Sequence, residues 1–342
     1  MKPISIFLMF LILIIHFSCK KPDNNDNQYK INENIIPVVL IWGINNEANI
    51  PCAIWPVADH LISVKPIADF TINENYQVVN EMIFEDFHDP HFIGFQSRFI
   101  RESLIQGKYL LVKSIYSDVS VGSLVNFNSE NNSFQTILDS TYNVSSACYY
   151  RDTNNIIYYS YGKPEGTNPG YYLYNKKNAS KQLLLEYISE IGPSEYLNGF
   201  DIHPTKDILI IPVVRRGKTP LIIEYNFAKN TFDTLNLTFD LSFNRICLWL
   251  RYNKTGEKIL YSCYPRHAGT TTTNDDSEIG IIDMNTLTKI ILDVNTSIST
   301  GRSVSICPNW SPDEKHIIYS SGPLSKDGAR GLYRLYILKT SN

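Results

Sequence analysis

The stretch Trp310-Ser311-Pro312-Asp313-Glu314-Lys315-His316-Ile317-Ile318-Tyr319-Ser320-Ser321 reads as a strand end, a tight polar turn and a second strand, and the same grammar recurs upstream. Pro312 presets φ for the first central position of a turn, and Asp313 can accept a hydrogen bond from its own backbone two residues on. The β-branched and aromatic run Ile317 to Tyr319 suits a pleated sheet. Apolar runs placed just after a polar turn begin at Tyr109, Ile156, Ile208, Ile259 and Ile317, spaced by 47, 52, 51 and 58 residues. The turns before them also correspond: Arg151 to Asn155, His203 to Asp207 and Asn253 to Lys258. Each unit continues with a loop, a third strand, a short turn and a fourth strand. Examples are Tyr171 to Tyr174 with Gln182 to Leu185, Leu221 to Tyr225 with Phe232 to Leu235, and Glu278 to Ile282 with Lys289 to Leu292. Four strands about every 50 residues, with no helical periodicity between them, is the pattern of β-propeller blades.

A chain of 342 residues accommodates two ordinary domains or one large all-β domain, and the 22 tyrosines and 16 phenylalanines lean towards the second. A net charge of -3 argues against a general nucleic-acid binder, which needs a concentrated basic face to release counterions from phosphates.

The turn Trp310-Ser311-Pro312-Asp313, followed by Lys315 and Ile317 to Ser321, resembles the WD40-like repeat of the TolB-type β-propellers, and Asn253 to Lys258 and His203 to Asp207 resemble degraded copies. The resemblance covers residues 95–342. It implies the fold and leaves the function open, since that family includes scaffold subunits, peptidase accessory domains and polysaccharide lyases.

Ring closure follows from counting strands. The last repeat has a third strand, Leu332 to Leu338, and no fourth before Asn342. An open blade would expose unpaired backbone groups, so Ile35 to Trp42 is expected to complete it, with Pro37 tolerated on the outer edge. Residues 44–95 are one period long and form a first blade without the turn signature. The expected fold is therefore all-β, a six-bladed propeller of four-stranded antiparallel blades over 35–342, its last blade closed by the N-terminal strand.

Residues 1–18 read as an export signal, with Lys2 before an apolar run from Ile4 to Ile15 that is shorter than the ~20 residues a spanning helix needs. His16-Phe17-Ser18-Cys19 resembles a bacterial lipobox: Ser18 and Cys19 match, while His16 and Phe17 depart from the usual pattern. The resemblance implies lipidation at Cys19, with 19–34 as the polar tether typical of Bacteroidota lipoproteins and the folded domain left in water beside a membrane. The localisation this implies is the bacterial cell envelope, periplasmic or surface-facing.

Five further cysteines carry no metal-ligand spacing. Cys247 and Cys263 lie symmetrically about the turn at Thr255; a regular hairpin would face them for a disulfide, and the alternative is that all five are buried small apolar residues. His88-Asp89-Pro90-His91 offers too few ligands for a closed metal site, and no nucleophile elbow or phosphate loop is present. No cofactor is expected. The longer connections, between second and third strands, fall on one face and carry Arg215, Arg216, Arg266 and His267, with Arg302 at a blade crossing. These five are the candidate binding residues, a basic rim suited to an acidic envelope protein or an anionic glycan. The expected function is a binding or scaffold module. The rival is a glycan lyase or hydrolase using funnel histidines drawn from His60, His203 and His267.

Overall fold

Three of the polar turns fold by one rule. In each, the first residue donates its backbone N–H to a carbonyl five residues on: His203 to Ile208 and Asn253 to Lys258 at 2.9 Å, Ser311 to His316 at 2.8 Å. The side chain of that same residue accepts from the turn backbone. Ser311 Oγ takes the His316 N–H and Asn253 Oδ1 the Lys258 N–H, both at 2.9 Å, while His203 Nδ1 takes the N–H groups of Thr205 and Lys206 at 3.1 Å. Three residue types thus do the same work, which is why the motif survives with little identity.

A computed structural model describes residues 35–37, 53–64, 67–85, 96–102, 107–114, 122–162, 168–186, 199–213, 221–235, 237, 246–265, 277–295, 304–322 and 334–340. Among these, β1 is Ile35–Pro37. Blade one is β2 (Ala53–Val57), β3 (His60–Val64), β4 (Ile67–Ile72) and β5 (Val78–Glu85). Blade two is β6 (Gln96–Glu102), β7 (Lys108–Ser114), β8 (Gly122–Asn128) and β9 (Ser133–Leu138). Blade three is β10 (Val144–Tyr150), β11 (Asp152–Ser160), β12 (Gly170–Asn175) and β13 (Ser180–Glu186). Blade four is β14 (Asp201–Ile202), β15 (Ile208–Val213), β16 (Leu221–Asn226) and β17 (Thr231–Leu235). Blade five is β18 (Ile246–Tyr252), β19 (Lys258–Pro265), β20 (Ser277–Asp283) and β21 (Thr288–Asn295). Blade six contains β22 (Val304–Trp310), β23 (His316–Gly322) and β24 (Arg334–Lys339), and β1 lies antiparallel beside β24 with Ile35 opposite Leu338 and Pro37 opposite Tyr336.

Every first strand touches the first strands of both neighbouring blades, β2 with β6 and β22, and so on through β10, β14 and β18. The six sheets therefore stand around one axis as a six-bladed β-propeller, with first strands innermost. Second strands carry the core: Leu61, Ile156, Leu209, Leu260 and Ile317 are all fully buried. Fourth strands face outwards, and Met82, Leu183, Phe232 and Ile290 are exposed there. Trp249, from blade five, belongs to a buried cluster with residues of blades one, two and three.

Two expectations are refined. Blade one lacks the turn signature because its first hairpin is closed by Ala58 and Asp59 alone, with Val57 opposite His60. The proposed Cys247 to Cys263 disulfide is not formed. The blade-five hairpin places Cys247 opposite Tyr264 and Leu248 opposite Cys263, and Cys263 is a buried thiol. The pairing is one residue away from the register in which Cys247 would stand opposite Cys263. Cys148 and Cys307 are likewise buried thiols.

Candidate functional site

The first-to-second and third-to-fourth turns open on one face, here called the turn face. At its inner rim the ends of β2, β18 and β22 enclose a cavity of about 190 Å³. Its lining joins aromatic walls, Trp55, Tyr252 and Trp310, to polar groups, Arg251, Lys254, Asn309 and Glu314.

The polar groups are fixed by bonds that cross blades. Arg251 is 3% exposed; its Nε donates to Asn309 Oδ1 at 3.3 Å and its Nη1 to the Leu250 carbonyl at 2.8 Å. Asn309 Nδ2 donates in turn to the Ala53 carbonyl at 2.8 Å. The β22 register shifts between Ile306 and Asn309, a bulge in which Cys307 adopts φ +52°, and bulges of this kind re-aim a strand's side chains. Trp310 Nε1 donates to the Arg251 carbonyl at 3.3 Å. Glu314 occupies the left-handed region at φ +59°, a conformation that costs a side-chain-bearing residue about 1–2 kcal/mol. Its carboxylate offsets that cost by accepting from the Lys254 N–H at 2.6 Å and from Asn253 Nδ2 at 3.2 Å. Lys254 Nζ donates to the Pro312 carbonyl at 2.7 Å.

Tyr252 is anchored at both ends. Its N–H donates to Asp201 Oδ2 at 2.8 Å and its hydroxyl to Glu224 Oε1 at 3.1 Å, so burial and that carboxylate push the phenol far above its ordinary range. Burial also raises the Glu224 carboxyl. Trp55 donates its indole N–H to the Ala58 carbonyl at 3.2 Å.

Ser311, Asp313 and His316 supply the residue types of a hydrolytic triad but not its wiring. Ser311 Oγ donates directly to Asp313 at 2.6 Å and accepts the His316 backbone N–H. The His316 ring instead meets Tyr76, whose hydroxyl is 2.8 Å from Nε2, and its Nδ1 is 3.8 Å from Asp313. No imidazole nitrogen faces the serine hydroxyl, so this is a turn lock and not an activated nucleophile. Burial pushes the Asp313 carboxyl up, but the Ser311 hydroxyl and Lys315 N–H outweigh it and leave it below the usual range. The arrangement can hold a ring against aromatic faces and offer its edge donors and acceptors.

Of the candidate binding residues, Arg215, Arg216, Arg266, His267 and Arg302 lie outside the described residues, as do Cys19 and the His88 to His91 cluster. His60 and His203 sit in separate turns: His60 Nδ1 is 2.7 Å from Asp69 Oδ1, and His203 holds the blade-four turn. Asp152 and Asp313 cap their own turns, as expected from their positions. Among the described residues no group of three His, Cys, Asp or Glu side chains is placed to hold a metal ion. Trp310, Ser311, Pro312, Glu314 and Lys254 fall in turns that the sequence marks as repeat grammar, with Trp310 expected to serve packing, whereas Trp55, Arg251, Tyr252 and Asn309 escaped sequence reasoning. The usable signal was a charged or amide residue interrupting an inner strand, as in Leu250-Arg251-Tyr252 and Pro308-Asn309-Trp310.

No family model and no curated protein matches the chain. Solved structures do. The fold is similar to TolB from Acinetobacter baumannii, at 16% identity and a TM-score of 0.49 over 83% of this chain, which spans 59% of that one. It is similar to the putative TolB from Agrobacterium tumefaciens, at 11% identity and a TM-score of 0.55 over 90% of this chain and 97% of that one. It is also similar to a chain of the nidogen/laminin complex, at 8% identity and a TM-score of 0.50 over 80% and 89%. Similarity at this level is one of fold, and the chain is a six-bladed β-propeller of the TolB-like fold.

Proposed function

We propose that this propeller is a non-enzymatic binding module of the bacterial envelope, held at a membrane through lipidated Cys19, and that it binds a glycan with one sugar ring in the turn-face cavity. The carrying observation is the cavity itself. A cavity of ~150 Å³ suffices for benzene, so about 190 Å³ holds one six-membered ring with substituents. Trp55, Tyr252 and Trp310 line it beside Arg251, Asn309, Lys254 and Glu314, which make the site too polar for a wholly apolar ligand. Arg251 and Lys254 against Glu314 favour a ring bearing negative charge.

The test is an array of neutral and acidic oligosaccharides probed with the full chain in detergent and with Trp310→Ala. The expected result is binding to acidic members, lost in the variant. An array with no binder contradicts the glycan reading, and new sugar ends appearing over time would place the protein among the lyases or hydrolases. The anchor is tested separately: Cys19→Ala should leave the membrane fraction, and processed variant that still sediments with membranes would refute lipidation.

A further inference from the structure

Behind one cavity wall, blade six meets blade one through two side chains. Tyr76 lies in the β4–β5 turn at φ +61°, with its N–H donating to the Asn73 carbonyl at 2.9 Å. Its hydroxyl is 2.8 Å from Nε2 of His316, at the start of β23. Both rings close on Trp55. The Tyr76 ring stands edge-on to the indole at 5.9 Å, the His316 ring is tilted against it at 5.9 Å, and the two are 5.0 Å from one another. Trp55 is 3% exposed, yet it also lines the cavity.

The groups facing His316 come from three elements. Tyr76 approaches from blade one, Asp313 from the blade-six turn, and Lys339 stands opposite His316 on β24, with Lys315 adjacent in sequence. Burial lowers the imidazole pKa, Asp313 opposes that shift and Lys339 reinforces it. The ring is therefore neutral at pH 7. With its one N–H on Nδ1, towards Asp313, Nε2 accepts from the Tyr76 hydroxyl. Burial, followed by the charge of Asp313, raises the Tyr76 phenol, so Tyr76 remains a donor. Adding a proton to Nε2 reverses the bond: the imidazolium becomes the donor, and the Tyr76 hydroxyl must turn its own proton away to accept it. Protonation also places a cation in a desolvated contact, where Asp313 draws it towards the turn and away from Tyr76.

We propose that His316 is a positioning residue for the cavity: through its bond to Tyr76 it holds Trp55 in the wall, and protonation of the ring releases that wall. The functional consequence rests on the cavity being the binding site, so the test contains no ligand.

Tryptophan emission of the full chain in detergent is recorded from pH 8 to pH 4.5, and the same spectra of Trp55→Phe are subtracted to isolate Trp55. The Trp55 component should move to longer wavelength as pH falls, with a midpoint below the ordinary histidine value of about 6.5. His316→Gln should abolish the transition. Tyr76→Phe, which keeps the packing and loses the hydroxyl, should already be shifted at pH 8 and stay flat. A transition retained in His316→Gln, or a flat wild-type Trp55 signal while far-UV circular dichroism stays native, overturns the proposal; Tyr76→Phe decides it if His316→Gln does not fold. A chain that shows the transition but binds no glycan at pH 7.5 refutes the binding reading alone. Glycan binding without the transition refutes the positioning role alone.

Discussion

His203 of blade four packs onto Gly256 of blade five so closely that a Cβ on the glycine would lie 2.3 Å from Nε2 of the imidazole. Gly256 is also in the left-handed region, at φ +78°. Two independent constraints, a steric one from the neighbouring blade and a backbone one from the turn, therefore fix glycine at this point.

Gly256→Ala should destabilise the domain by about 2–5 kcal/mol, the overpacking cost of about 1–3 kcal/mol added to a backbone cost of about 1–2 kcal/mol. In a double-mutant cycle with His203→Ala the cost should shrink towards the backbone share of about 1–2 kcal/mol, because the clash is gone. Additive costs in urea unfolding would show that the two turns do not press on one another.

Asn309 joins the inner strands of blades five, six and one through Arg251 and the Ala53 carbonyl. Asn309→Ala removes both links inside a buried region and should cost about 1–3 kcal/mol. Unfolding at unchanged midpoint would mean that the bulge at Cys307 alone sets the arrangement.

The pairing of β1 with β24 spans three residue pairs. If that pairing fastens the ring, removing residues 35–42 should cost on the order of 3 kcal/mol at about 1 kcal/mol per hydrogen bond lost. Calorimetry of the truncated chain should show a lower melting temperature, and an unchanged one would contradict a fastening role.

Burial holds the imidazoles of both His203 and His316 below the ordinary value, with Lys206 adding to the effect at His203. The unfolded chain thus binds protons that the folded one refuses. Stability is fully present above about pH 6.5 and is lost as pH falls through the folded values. The melting temperature should be flat from pH 8 to pH 7 and decline towards pH 5, and His203→Gln with His316→Gln should flatten the decline. A rise in stability on acidification would contradict these burials.

The blade count and most strand positions were legible because the turn chemistry repeats locally: Ser311, Asn253 and His203 each announce a hairpin through their own side chain. Blade one was placed by its length alone, since a two-residue turn at Ala58 and Asp59 leaves no comparable mark. The cysteine offset was lost for a related reason, because half a residue in the centre of the hairpin sets Cys247 opposite Tyr264 instead of Cys263. The cavity was legible only in part: the turns that carry Trp310, Glu314 and Lys254 were marked as repeats, but not their meeting with blade one. Trp55, Arg251 and Asn309 are separated by up to 254 residues and meet through ring geometry, which no spacing rule encodes.

The most direct measurement compares the two faces. For the acidic oligosaccharide that binds best, affinity is titrated for the full chain, for Trp310→Ala with Lys254→Ala on the turn face, and for Arg215→Ala with Arg266→Ala in the second-to-third connections. The cavity account predicts that the first pair loses binding at least tenfold, about 1.4 kcal/mol, while the second stays within about twofold. Loss confined to Arg215→Ala with Arg266→Ala would contradict it and move the site to the opposite face.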